Sequence, residues 1–276
     1  MRRLLFTLCT MLLTACGGPQ TGPSLTIGSA EDEASVITAH LYAAALRHYG
    51  TGTRVEPTAD PLTALDAGDV AVVPGLTGRL LDRFQPDATA RADEQVYRDM
   101  VSALPEGVAA GDYTTAAEDK PALAVTVSTV AELGGQDLSA VARRCGDLRL
   151  GQVRGARTPA TVGTCRLPVP REFRDAAGLF AAVKAGGVDA AWTTTAMPDI
   201  PSDLVVLTDG TSLVRAENVV PLYRRNGLAE SQVLALNEVA GVLDTAALAE
   251  MRARVREGAD PAVVADEWLA EHPLRD

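Results

Sequence analysis

Apolar and polar positions alternate along this chain in two rhythms. Short apolar runs bounded by turn residues predict strands at 25–27, 54–56, 70–73, 123–127, 148–150, 188–192, 204–207 and 219–223. Between them the spacing changes to that of helices. Ile37, Leu41, Ala44 and Ala45 share one face of an amphipathic helix that also carries His40 and His48 and stops at Gly50. Asp60 caps a short helix over 61–67, with Pro61 in its first turn. Further helices are expected over 93–100, around Val130, and over 138–144 and 176–184. At the end of the chain Leu248, Met251 and Val255 share a face, and Asp260-Pro261 opens a helix that places Val264 beside Trp268. Residues 152–171 read as loop.

This order predicts an α/β fold with mostly parallel sheets. One internal echo adds to it. Ala64 to Val72 resembles Ala182 to Ala191, each a helix end, a glycine turn and a buried strand. The first strand closes at Pro74-Gly75 and runs into a polar, glycine-containing segment with Leu76, Thr77 and Gly78. The second runs into Thr193-Thr194-Thr195. Ligands of open α/β sheets bind beyond the carboxyl ends of strands. The echo therefore fits two similar lobes facing a shared cleft, although short helix–glycine–strand echoes also arise by coincidence.

The N-terminus reads as an address. Arg2 and Arg3 precede an apolar run over 4–13, too short for the ~20 residues of a membrane span. Leu13-Thr14-Ala15-Cys16 resembles the lipobox of bacterial lipoproteins. Residues 1–15 are read as a signal peptide, Cys16 as the lipidated residue and 16–24 as a Gly- and Pro-containing tether. The expected location is the extracytoplasmic face of the cell membrane, held there by the lipid. Loss of Arg2 and Arg3 leaves 23 basic against 36 acidic residues, a net charge of −13. That balance argues against a nucleic-acid partner. Cys145 and Cys165 then remain, either as a disulfide or as two buried thiols. With three histidines and no CxxC, no metal site and no cofactor is expected. No GxSxG, HExxH or phosphate-loop motif is present, so the chain is read as a binding protein and not an enzyme.

Several stretches, in this order and spacing, resemble one family: residues 25–46, residues 67–81 (AGDVAVVPGLTGRLL), residues 117–127 (AEDKPALAVTV), residues 187–209 and residues 216–223 (AENVVPLY). They resemble the substrate-binding lipoproteins of ABC importers for glycine betaine, choline and other osmoprotectants, particularly actinobacterial ones. The resemblance implies a two-lobed periplasmic-binding-protein-like fold of type II, with the cleft between the lobes. It assigns 25–119 plus 222–276 to lobe 1 and 120–221 to lobe 2. It implies a small-molecule solute as ligand, a quaternary ammonium or another small polar compound, and an ABC permease subunit as partner. A sensor or docking module without transport is the alternative.

Against that family the chain departs at its cleft. Leu76 stands where the family has a tyrosine and Gly75 where it has an acid. Asp32, Pro121 and Thr194 occupy aromatic positions, and Met197 an aspartate position. The family's Pro-Glu-Phe segment of the second lobe is poorly matched, and Arg171-Glu172-Phe173 is either its displaced remnant or unrelated to it. Ser29, Glu31, Asp32, Leu76, Thr77, Trp192, Thr194 and Thr195 are the expected ligand-binding residues, with an altered ligand in view. Glu33, Thr193, Arg154 and Arg157 are further candidates, the arginines for a carboxylate. Tyr113, Phe173 and Tyr223 are read as packing residues.

Overall fold

The computed structural model describes residues 24–144 and 146–274. The proposed signal and tether up to residue 23, with Cys16, and also Cys145, lie outside the described residues. Cys165 is disulfide-bonded.

The chain opens with β1 (Leu25–Ser29), α1 (Glu33–His48), β2 (Thr53–Pro57), α2 (Pro61–Ala67), β3 (Val72–Leu76), α3 (Thr77–Phe84), α4 (Asp93–Ala103) and β4 (Val108–Ala110). It then crosses to β5 (Pro121–Thr126), α5 (Val127–Leu133), α6 (Leu138–Arg143), β6 (Leu150–Val153), a small hairpin of β7 (Thr161–Val162) and β8 (Cys165–Arg166), β9 (Arg171–Phe173), α7 (Ala176–Lys184), β10 (Ala190–Thr194) and β11 (Leu204–Val206). It returns through β12 (Val219–Arg224) and ends in α8 (Glu230–Val242), α9 (Thr245–Arg256) and α10 (Pro261–Glu271).

Two five-stranded sheets result, and they share one plan. The first runs β2-β1-β3-β12-β4 and the second, read from its far edge, β9-β6-β10-β5-β11. In each, the first three strands are parallel and the last two run antiparallel to their neighbours. The sheets are thus mixed, not mostly parallel as the alternating elements suggested. The strand entering each lobe from the other, β12 or β5, inserts beside the parallel set from the opposite direction. Val219 to Pro221, expected in the second lobe, already pair with Leu76 to Pro74 of the first sheet.

The internal echo falls on equivalent positions of the two sheets. At the end of α2 the Gly68 N–H donates to the Leu65 carbonyl at 3.1 Å and the Asp69 N–H to the Ala64 carbonyl at 3.0 Å. At the end of α7 Gly186 and Gly187 do the same to Val183 and Ala182, at 3.0 and 2.8 Å. Gly68 and Gly186 have φ of 82° and 70°, the left-handed conformation that only glycine adopts without a Cβ clash. Each turn then feeds the central strand, β3 or β10.

Each sheet is covered on both faces. In the first lobe α1, α8, α9 and α10 pack on one face and α2, α3 and α4 on the other. The second lobe has α5 and α6 on one face and α7 on the other. α1 was expected to be amphipathic, yet it is buried on all sides from Ile37 to Leu46 apart from His40. The three C-terminal helices cover the flank that an amphipathic helix would leave to water, which suits its alanine-rich sequence. Among the described residues no single helix is long and apolar enough to cross a membrane.

α3 was not foreseen: Thr77 and Gly78 were read only as part of a polar, glycine-containing segment, and the residues after them were given no element. Gly78 shows why the position is small: a Cβ there would lie 2.4 Å from the Ala216 carbonyl and 2.9 Å from the Glu217 carboxyl carbon. The returning crossing therefore packs directly against the first turn of α3.

Candidate ligand-binding cleft

Two segments join the lobes, and they touch each other. Glu118 and Asn218 form an antiparallel bridge, and the Asp119 N–H donates to the Glu217 carbonyl at 2.9 Å. A threonine at the end of each central strand clamps one segment. After β3, the Thr77 N–H donates to the Asn218 carbonyl at 3.0 Å and the Asn218 N–H donates back to Thr77 Oγ1 at 3.1 Å. After β10, the Thr195 N–H donates to the Lys120 carbonyl at 2.9 Å and the Lys120 N–H donates back to Thr195 Oγ1 at 3.0 Å. The Thr195 hydroxyl donates onward to the Glu118 carbonyl at 2.9 Å. Thr77 and Thr195 thus hold the crossings.

Two adjoining cavities, of about 520 and 440 Å³, open beside these crossings. The first is set mainly in the first lobe, between α1, α2 and α3, with Asp32, Leu76 and Pro74 in its wall. The second lies between the lobes, with Thr194, Pro121 and the loop 157–161 facing α3 and the segment 88–91. Arg79, Asp82 and Arg157 line both.

Of the residues expected in the site, the structure brings Asp32, Leu76, Thr194 and Arg157 to these cavities. Asp32 also caps α1, accepting from the Ser35 N–H at 3.0 Å. Ser29 is buried at the end of β1 and Glu31 is exposed; neither lines a cavity. Glu33 is engaged by Arg256 at 2.7 Å, which holds its carboxyl below the usual range. Thr193 is buried and lines neither cavity. Arg154 lies outside them and faces Glu172 at 3.6 Å.

Trp192 is a correction. Its strand sends Ala190 and Trp192 to one face of the sheet and Ala191 to the other, so the indole packs in the core under α5 and α6. The other rings also pack away from the cavities. Tyr113 lies against Tyr97 with centroids 4.5 Å apart, Phe173 beneath the Arg171 guanidinium, and Tyr223 against the first lobe's core. Among the described residues no Phe, Tyr or Trp lines either cavity.

The acids of the cleft are largely engaged. Asp60 pairs with Arg83 at 3.2 Å, Asp82 with Arg215 at 2.8 Å and Asp119 with Arg252 at 3.1 Å. Arg252, itself buried, also donates to the Ala196 carbonyl at 2.7 Å. Glu217 is buried where the returning crossing meets α3 and accepts from the Arg79 N–H at 2.9 Å. Desolvation pushes its carboxyl up to about 7, against the opposing pull of that N–H and of the Arg79 and Arg215 charges. Sequence reasoning missed Arg79, Asp119, Glu217 and Arg252. The first three sit in the stretches that carried the family resemblance, but nothing local marks them as facing a cleft.

Residues 171–271 match the sequence-family model described as the substrate-binding domain of ABC-type glycine betaine transport systems. Over those residues the match bears out the resemblance to glycine betaine substrate-binding proteins read from the sequence. No curated protein matches the chain by sequence. Among solved structures, one described as a glycine betaine/carnitine/choline ABC transporter superposes with a TM-score of 0.74 at 18% identity, covering 90% of this chain and 98% of its own. Ligand-free YehZ from Escherichia coli gives 0.71 at 18% identity, covering 91% of this chain and 99% of its own. A choline-binding protein of an ABC transporter, solved with choline, gives 0.55 at 18%, covering 91% and 89%. At this identity the structures establish the fold, and it is the expected two-lobed α/β fold of type II.

Glu217 carries a testable pH dependence. Its folded-state value of about 7 lies above the ordinary 4.5, so its burial is tolerated in full below pH ~4.5 and opposes folding as pH rises through 7. Glu217→Gln keeps an acceptor for the Arg79 N–H and carries no charge. It should stabilise the protein at pH 8, by an amount on the order of 3 kcal/mol, and make no difference near pH 4. Denaturant titrations at the two pH values measure this. A variant less stable than its parent at pH 8 would show that the ionised carboxylate is required.

Proposed function

We propose that this chain is the extracytoplasmic solute receptor of an ABC importer of the glycine betaine type, anchored to the membrane by lipid on Cys16. The observation that carries the reading is the pair of matching lobes joined by two bridged crossings, with the cavities at the carboxyl ends of β1 and β3 and at the crossings. Such an arrangement lets a small solute be enclosed by rotation of one lobe on the other. Residues 25 to about 119 together with β12 and the C-terminal helices form one body, and the segment from 120 through β11 the other. The cell uses the closed form as its signal to a permease. The lipid and the tether keep the receptor at high local concentration beside that partner. Relatives of the same fold are described as binding choline or glycine betaine, and a small polar solute of comparable size suits the cavities here.

Two experiments test the reading. A thermal-shift screen of the mature chain with osmoprotectants, polyamines and amino acids should find at least one solute that raises the melting temperature, because binding to the folded state alone stabilises it. A panel without any shift would favour a docking module over a receptor. For the anchor, Cys16→Ala should move the protein from the membrane to the soluble fraction of cells. Retention in the membrane fraction, with unchanged mass, would remove the lipid from the account.

A further inference from the structure

The cavity between the lobes has an excess of positive charge. Four arginines line it, Arg79, Arg91, Arg157 and Arg215, against two acids, Asp82 and Glu217. Arg215 is committed to Asp82 and to the carbonyls of Ala88 and Ala90. Arg91 donates to the Gly163 carbonyl at 3.3 Å. Arg79 and Arg157 have no side-chain hydrogen bond or ion pair among the described residues. They come from opposite lobes, α3 and the loop before β7, and each lines both cavities. Thr194 adds a hydroxyl to the same wall, its Oγ1 buried and without a hydrogen-bond partner among the described residues.

Two cations brought together across a hinge repel, and an anion between them removes that repulsion. A guanidinium matches a carboxylate through paired N–H donors, a geometry that fixes the ligand as well as attracting it. A quaternary ammonium has no N–H to donate and is held by aromatic faces, and none lines this cleft among the described residues.

We propose that the cleft takes a small organic anion whose carboxylate bridges Arg79 of the first lobe and Arg157 of the second, with the Thr194 hydroxyl donating to it, and that the ligand needs no quaternary ammonium. The proposal rests on the receptor reading and specifies its ligand class. The apolar wall around Leu76 and Leu80 accommodates the ligand's carbon skeleton. Binding weakens with salt, since both arginines are exposed to solvent.

Isothermal titration calorimetry of the mature protein, with malonate, succinate, inorganic phosphate and choline as probes, tests this directly, with small-angle scattering to follow lobe closure. Malonate or succinate should bind and close the lobes. Arg79→Ala and Arg157→Ala should each weaken that binding about tenfold or more, while Arg98→Ala, on the far surface of α4, leaves it unchanged. Circular dichroism melts confirm that the variants fold. Binding of choline but of neither dicarboxylate overturns the proposal and, if the lobes close, leaves the receptor reading standing. Binding of phosphate alone replaces the carboxylate with another oxyanion and overturns it as well. Dicarboxylate binding that both alanine variants retain also overturns it. Absence of binding and closure with every probe counts against both readings.

Discussion

Four backbone-to-threonine hydrogen bonds hold the two halves of this protein in register. Thr77 clamps Asn218 and Thr195 clamps Lys120, each through a reciprocal pair. The two clamped segments are bridged to each other at Glu118 and Asn218. Everything functional hangs from this junction. It ends both central strands at the same level and brings the cavities alongside. Among the described residues it leaves two chain crossings between the bodies, and these are where the proposed rotation acts.

The junction is unusually polar for a buried place. Asp119, Glu217, Asn218 and Arg252 are all buried around it. A buried ion pair such as Arg252–Asp119 contributes little net stability, because desolvation offsets its Coulomb attraction, yet breaking it leaves an uncompensated charge. Such a pair therefore constrains geometry more than it adds free energy. Arg252 reaches from α9 to the Ala196 carbonyl beyond β10, and Arg256 on the same helix lies 3.5 Å from Asp199. The C-terminal helices thereby touch the second lobe as well as filling the first. Glu217 sits on the opposite crossing, half neutral near pH 7, and completes a junction whose charges are nearly all engaged. The cleft keeps two guanidinium groups, those of Arg79 and Arg157, that have no side-chain hydrogen bond or ion pair among the described residues.

Much of the fold was legible in the sequence where a local signal sufficed. Asp60 with Pro61 marked α2, and the 176–184 periodicity marked α7 at the bounds observed. The repeated helix–glycine–strand unit marked the two lobes, because a left-handed glycine after a helix leaves a readable trace. Strand direction was not legible, since nothing within β5 or β12 states which neighbour it will meet. α3 was hidden because it is short and polar and carries a glycine required by the crossing beneath it. The candidate site as read from the sequence shares Asp32, Leu76, Thr194 and Arg157 with the linings of the two cavities, residues at or just beyond strand ends or in the second-lobe loop. It was misread at Trp192, where strand parity and not position along the strand decides which way the ring points. Arg79 and Glu217 needed the tertiary structure, since only the meeting of α3 with the returning crossing makes neighbours of residues so far apart in sequence.

The two bodies are proposed to move about this junction when a solute enters the cleft. Spin labels placed at exposed helix positions, Asp66 on α2 and Glu132 on α5, report the distance between the bodies by pulsed electron resonance. Adding a solute that raises the melting temperature should replace one distance population by another, with the melting curve of the labelled protein otherwise preserved. A single distance, unchanged at saturating solute, would contradict a hinge at the crossings and with it the receptor mechanism.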